Sequence, residues 1–129
     1  MFDQILALDV ITLIDENLKT VLQRTKHISS ADDFTSSETG MILLDSICMK
    51  LVAIGESIKN LDKITNKEFL PRYQQIEWKQ AMGMRDIIVH HYFDVDAEQI
   101  FNTLKEDIPG LKNVLEKMKN DLFDTIRTE

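Results

Sequence analysis

The sequence predicts an all-α protein, an antiparallel bundle of four to five helices, and three observations carry that expectation. Apolar residues recur at helical spacing along most of the chain, no segment alternates apolar and polar residues as a strand does, and the interruptions fall at Pro, Gly and Ser/Asp-rich stretches. With 129 residues, 43% of them hydrophobic and 29% charged, the chain is long enough to bury a core and is expected to form one domain over residues 1–129.

Residues 2 to about 25 read as the first helix. Ala7, Ile11, Ile14, Leu18 and Val21 step by four and three along one face, and a second stripe of Leu6, Val10 and Leu13 calls for a second packing neighbour. The polar interval from His27 to Thr35 reads as a loop. Thr35-Ser36-Ser37-Glu38 then fits a capping box, with Thr35 as N-cap of a helix running to about Asn60. That helix has the most regular seam in the chain: Leu44, Ile47, Leu51, Ile54, Ile58 and Leu61. Met41, Cys48, Val52 and Gly55 lie on the adjoining stripe. Glycine inside a helix costs about 1 kcal/mol relative to alanine, so Gly55 is expected to mark the close approach of another helix.

Pro71 and the polar run after it break the chain, and a third helix is expected from about Glu77 to His90, with Trp78, Ala81, Met84 and Ile88 facing inward. Asp96 reads as the next N-cap, with Val95 stapling onto Ile100. Ile100, Leu104 and Ile108 form that helix's apolar face. Pro109-Gly110 is expected to end it, and Leu111, Leu115, Met118, Leu122 and Ile126 define the last helix.

Composition narrows the function classes. One cysteine excludes an intramolecular disulfide, and the absence of a secretory leader pattern makes the cytoplasm the expected location. The apolar runs are too short to cross a bilayer, so no membrane role is expected. The net charge of −7 argues against a broad nucleic-acid-binding face. Between Arg72 and Tyr92, however, Arg72, Lys79 and Arg85 outnumber Glu77 and Asp86, giving 3 − 2 = +1 and leaving −8 for the remainder. Any RNA contact should therefore be local, and the acidic surface could equally meet a basic protein. No zinc, calcium or glycine-rich phosphate-loop pattern occurs, so neither a metal nor a cofactor is expected.

The most informative segment is Met84-Arg85-Asp86-Ile87-Ile88-Val89-His90-His91-Tyr92-Phe93. Arg85 supplies a permanent cation with planar donors suited to phosphate oxygens, and His90 can exchange protons near neutral pH. A phosphodiester suits both. On a straight helix Arg85 and Tyr92 nearly eclipse while His90 points about 140° away. The helix must therefore end near His90, or a second chain must complete the site. Read from the residues alone, the constellation is structural: Arg85 a buried cation tied to Glu56 or Asp86, His90 a helix end, and Tyr92 a packing residue. Cys48 reads as a small buried hydrophobe, Trp78 as core rather than a base-stacking platform, and His91 as a solvated or capping histidine.

Arg85-x4-His90-x-Tyr92 resembles the Arg-x4-His-x-Tyr motif of the HEPN superfamily, specifically of the HepT toxins, small all-helical ribonucleases paired with an MntA-type nucleotidyltransferase antitoxin. The likeness continues through Asp32-Asp33-Phe34, Ile54-Gly55-Glu56, Trp78, Gly83 and Ile108-Pro109, in order, and covers nearly the whole chain. It implies a HEPN-like homodimer whose motif helices meet across the interface, with assembly beyond the dimer left open. It implies a metal-independent endoribonuclease toxin acting on RNA, with Arg85 and His90 catalytic and Asp86 and Tyr92 supporting. It also implies Tyr92 as the acceptor of AMP from the antitoxin. The alternative class is a noncatalytic helical protein whose motif is only the docking and acceptor site for the nucleotidyltransferase.

Overall fold

The computed structural model describes residues 2–89 and 96–128, and among these it contains helices and no strand. They are α1 (Gln4–Arg24), α2 (Asp32–Thr35), α3 (Glu38–Ile64), α4 (Trp78–Met82), α5 (Met84–Val89), α6 (Ala97–Glu106) and α7 (Ile108–Thr128), with a 3-10 turn at Leu70–Arg72. The all-α expectation holds. The five expected helices correspond to α1, α3, α4 with α5, α6 and α7, and α2 is an additional single turn.

α1 starts where Asp3 accepts a hydrogen bond from the Leu6 amide, and it buries the face anticipated for it, Ala7, Ile11, Ile14, Leu18 and Val21. It packs antiparallel to α3, as two cross-links show: Arg24 donates to Ser46 Oγ at 3.0 Å, and Lys50 donates to Asn17 Oδ1 at 2.8 Å. It is also antiparallel to α7. Phe2 lies edge-on to Phe69, whose neighbour Tyr73 donates to Asp121 late in α7. Midway, the buried Asp15 carboxylate sits 3.0 Å from Lys112 Nζ and 3.7 Å from Lys119 Nζ. Burial pulls the Lys112 ammonium down, but hydrogen bonding to Glu116 and Asp15 and their negative charge outweigh this and hold its pKa above the usual lysine value. The second stripe of α1 behaves differently from expectation, since Leu6 and Leu13 remain 46% and 56% exposed.

The N-terminus of α3 lies two residues later than its sequence suggests. Ser37, not Thr35, is the N-cap, and its Oγ accepts from the Gly40 amide at 3.0 Å. Thr35 is instead the last residue of α2, a turn organised by Asp33, which accepts from the Ser29 amide and hydroxyl and the Ser30 amide. These bonds, the Ser29 amide foremost, hold the Asp33 carboxyl below the usual range. The two helices pack so closely that a Cβ at Gly40 would lie 2.4 Å from the Asp33 carbonyl oxygen and 2.6 Å from that of Phe34.

The α3 seam from Leu44 to Leu61 is buried throughout. The helix continues past the expected Asn60 to Ile64, where the Asn66 amide reaches Lys63 O and the Lys67 amide reaches Asp62 O. This is a Schellman closure, with Asn66 and Lys67 both at positive φ.

The third expected helix is broken. α4 ends at Gly83, whose amide bonds to the Lys79 and Gln80 carbonyls, and α5 begins at Met84. Ala81, Met84 and Ile88 face the core as expected, while Trp78 is partly buried and donates from Nε1 to Tyr73 O at 2.8 Å. Asp96 caps α6 as anticipated, accepting from the Glu98 and Gln99 amides. The Val95 staple lies outside the described residues. The α6–α7 break falls at Asp107 rather than at Pro109-Gly110. Pro109 belongs to the first turn of α7, where an amide is unpaired in any case and proline is tolerated.

Because the atoms facing Gly40 are backbone, no side chain can move to make room. Gly40→Ala is expected to destabilise the fold by about 3 kcal/mol, lowering the melting temperature by roughly 10 °C in a circular-dichroism melt. An unchanged melting temperature would show that α2 can move off α3 freely.

Candidate functional site

The candidate site is built on Arg85, the second residue of α5, and its position follows from a contact one helix away. On the α3 stripe beside the core seam, Gly55 presents no side chain, and the α4–α5 bend rests on it. A Cβ there would stand 3.3 Å from Ala81 O, 3.4 Å from Met82 O and 3.5 Å from the Arg85 amide nitrogen. The sequence expectation of a close helix approach at Gly55 is met. Met84 and Ile88, flanking Arg85 on the inward side, anchor α5 in the core.

With its neighbours turned inward, Arg85 extends along the outside of the bundle. Its Nε lies 3.3 Å from Glu56 Oε1, and the two side chains are 49% and 48% exposed. The structural alternative drawn from sequence was half right: Glu56 is the partner, but the guanidinium is not buried. An exposed pair of this kind contributes up to about 1 kcal/mol to stability. Its interest is placement, since a half-exposed cation on a well-packed bend remains open to an anionic ligand. Asp86 is exposed, and its backbone amide donates to Gly83 O at 2.9 Å, closing the bend. His90, His91 and Tyr92 lie outside the described residues, so of the expected site residues the structure places Arg85 and Asp86.

Two reactive side chains elsewhere are disabled by their surroundings. Cys48 is buried, and burial together with the Asp45 charge pushes its thiol up to about 11, which keeps it protonated at neutral pH. Tyr73 is buried beneath α7, and burial and its 2.7 Å hydrogen bond to Asp121 push its phenol well above the usual tyrosine value. Neither is a nucleophile or an accessible acceptor.

A cavity of about 230 Å³ lies beside Ala81 and Met84 of α4 and α5, with Glu77, Glu106 and Asp107 among its lining residues. Three carboxylates make it a poor seat for a polyanion.

Glu56 is the residue that the sequence reading underweighted. It appeared there as a landmark and as a structural partner for Arg85, although its adjacency to a glycine on a helix flank already pointed to the site. A glycine that admits a backbone places the next residue beside whatever that backbone carries.

Comparison with known proteins identifies the family. The family described as "Ribonuclease HepT-like" matches residues 14–118, a range that spans Gly55, Glu56, Arg85 and the motif through Tyr92. A Methanocaldococcus jannaschii protein named "Gamma-glutamylcyclotransferase and putative RNase" is 36% identical over 107 residues, covering 83% of this chain and 45% of that protein, so this chain spans less than half of that relative. "Putative RNase" of Caldanaerobacter subterraneus subsp. tengcongensis is 35% identical over 77% of this chain and 85% of its own length. "Probable ribonuclease HepT" of Thermococcus cleftensis is 31% identical over 86% of this chain and 94% of its own. No solved structure matches. A family match over most of the length, on a helical fold that presents the motif arginine at its surface, gives one conclusion: the chain belongs to the HepT-like ribonuclease family.

Proposed function

We propose that the chain is a metal-independent endoribonuclease, the toxin of a toxin–antitoxin pair, acting as a homodimer and silenced by AMP transfer to Tyr92. The observation that carries the reading is the half-exposed Arg85 guanidinium held on the Gly55-seated bend, within the residues that the family matches. Cleavage requires a base to take the proton from a ribose 2′-hydroxyl. The 2′-oxygen then attacks the phosphorus, and the 5′-oxygen leaves as an acid protonates it. Arg85 stabilises the negative charge that builds on the phosphoryl oxygens, and His90 moves the protons. One histidine cannot be in both protonation states at once, so a symmetry mate across a two-fold axis supplies the second role. The products are a 2′,3′-cyclic phosphate and a 5′-hydroxyl. Asp86 supports the orientation of Arg85 or His90, and Tyr92 helps orient the substrate or His90.

The exposed surface supports a second copy next to Arg85. Ile42, Met49 and Glu56 follow at seven-residue steps along α3, so they share one line of the helix with only about 20° of drift per step. Ile42 and Met49 are 63% and 71% exposed. An apolar line that ends at the Arg85 partner is where the dimer is proposed to close. Regulation by the nucleotidyltransferase rests on the family resemblance and on the two tyrosines of the chain. With Tyr73 enclosed, Tyr92 is the acceptor proposed. A phosphodiester on Tyr92 adds negative charge and bulk beside the motif and excludes an RNA phosphate.

Three outcomes are expected. In metal-free buffer the wild-type protein should generate cyclic-phosphate RNA ends, and Arg85→Ala or His90→Ala should lower the rate at least about a hundredfold. An inactive wild type would favour the noncatalytic acceptor protein instead. Met49→Glu should convert the dimer to a monomer in sedimentation and remove cleavage with helicity unchanged, whereas a dimer that survives rules out this face. After incubation with antitoxin and ATP, intact mass should show AMP addition to wild type and none to Tyr92→Phe; equal modification of both removes Tyr92 as acceptor.

A further inference from the structure

We propose that Glu56 is a positioning residue for Arg85, an inference that rests on the ribonuclease reading and adds a residue to it. Two neighbouring residues of α3 fix the two ends of one side chain. The α4–α5 bend rests against Gly55, where an added Cβ would be tight to Ala81 O at 3.3 Å and in ordinary contact with the Arg85 amide nitrogen at 3.5 Å, and Glu56 approaches the far end with Oε1 at 3.3 Å from Nε. Between these points lies a flexible stem whose rotamer freedom would otherwise let the guanidinium wander over the surface.

The edge that Glu56 occupies gives the contact its use. A guanidinium carries five N–H donors, one on Nε and four on the two terminal nitrogens. The closest approach of Glu56 is at Nε, the inner edge, so the terminal nitrogens remain the phosphate-binding edge. Near half exposure of both side chains keeps that edge accessible. A carboxylate placed only to neutralise Arg85 would oppose RNA binding. One that orients Arg85 lowers the barrier, because a guanidinium already aimed at the phosphoryl oxygens needs no reorganisation as charge develops. The two roles predict opposite signs.

Kinetics on a single-site RNA and nitrogen-15 relaxation of the Arg85 Nε–H group in the full-length protein separate them. Arg85→Lys identifies the Nε–H resonance by removing it. Glu56→Ala should lower kcat about tenfold with KM within about twofold. Glu56→Gln, which keeps an oxygen at the same reach, should recover most of the loss. The Nε–H order parameter should fall from about 0.8 in wild type to below about 0.6 in Glu56→Ala. An unchanged order parameter, or a higher kcat in Glu56→Ala, overturns the proposal. Failure of the wild type to cleave RNA would remove the ribonuclease reading instead, and the relaxation measurement would still decide whether Glu56 holds Arg85.

Discussion

The constraint on which the site depends is a missing side chain. Gly55 lets the α4–α5 bend settle on α3 until a Cβ there would press on Ala81 O at 3.3 Å and touch Met82 O and the Arg85 amide nitrogen at ordinary contact distance, 3.4 and 3.5 Å. Every other feature of the site is downstream of that approach. Because the bend is low on α3, Met84 and Ile88 reach the core, and Arg85 emerges beside Glu56 instead of projecting into open solvent. α4 ends at Gly83, whose amide bonds back to the Lys79 and Gln80 carbonyls, and α5 begins at the next residue. Gly55, inside α3, weakens that helix by about 1 kcal/mol relative to alanine, and the buried contacts of α4 and α5 with α3 offset that loss.

Where the sequence was a good guide, a single local rule decided the outcome. The seam from Leu44 to Leu61 could face only one way, Asp96 had two free amides to cap, and Gly55 had no reason to be helical unless something approached it. It misled where two rules competed. Thr35 and Ser37 were both possible N-caps. The choice fell to Ser37 because Asp33 closes α2 with Ser29 and Ser30, and because Gly40, whose amide Ser37 accepts, is the position that tolerates contact with the α2 backbone. Likewise Pro109 resembles a helix terminator but serves as a first-turn residue, a choice set by where the chain turns at Asp107. For the site, the sequence identified Arg85 and its spacing to His90 and Tyr92. It could not reveal that the guanidinium sits half exposed on Glu56, because that depends on the depth to which the bend sinks onto Gly55.

Charge poses the main physical objection to a ribonuclease built on this chain. A net charge of −7 repels a polyanion at long range, and the cavity beside α4 and α5 has three carboxylates among its lining residues. Repulsion of this kind is screened over roughly 8 Å at physiological ionic strength, so a short cationic contact can operate once the substrate is near. The demand falls on geometry rather than on field. A protein with an extended basic face can tolerate a loosely placed arginine because many contacts share the task. An acidic one has few cations to spend on a phosphate and must aim each of them.

That demand links assembly to chemistry. Along α3, exposed Ile42 and Met49 lead at heptad spacing to Glu56, and Glu56 leads to Arg85. In the proposed dimer, covering that line withdraws water from the Arg85–Glu56 pair, and an interaction that is weak at the surface strengthens as the surrounding dielectric falls. The Glu56 contact already present in the single chain would therefore be reinforced in the paired one. Such a dimer would supply more than a second histidine, because it would also stiffen the cation proposed to work beside each one.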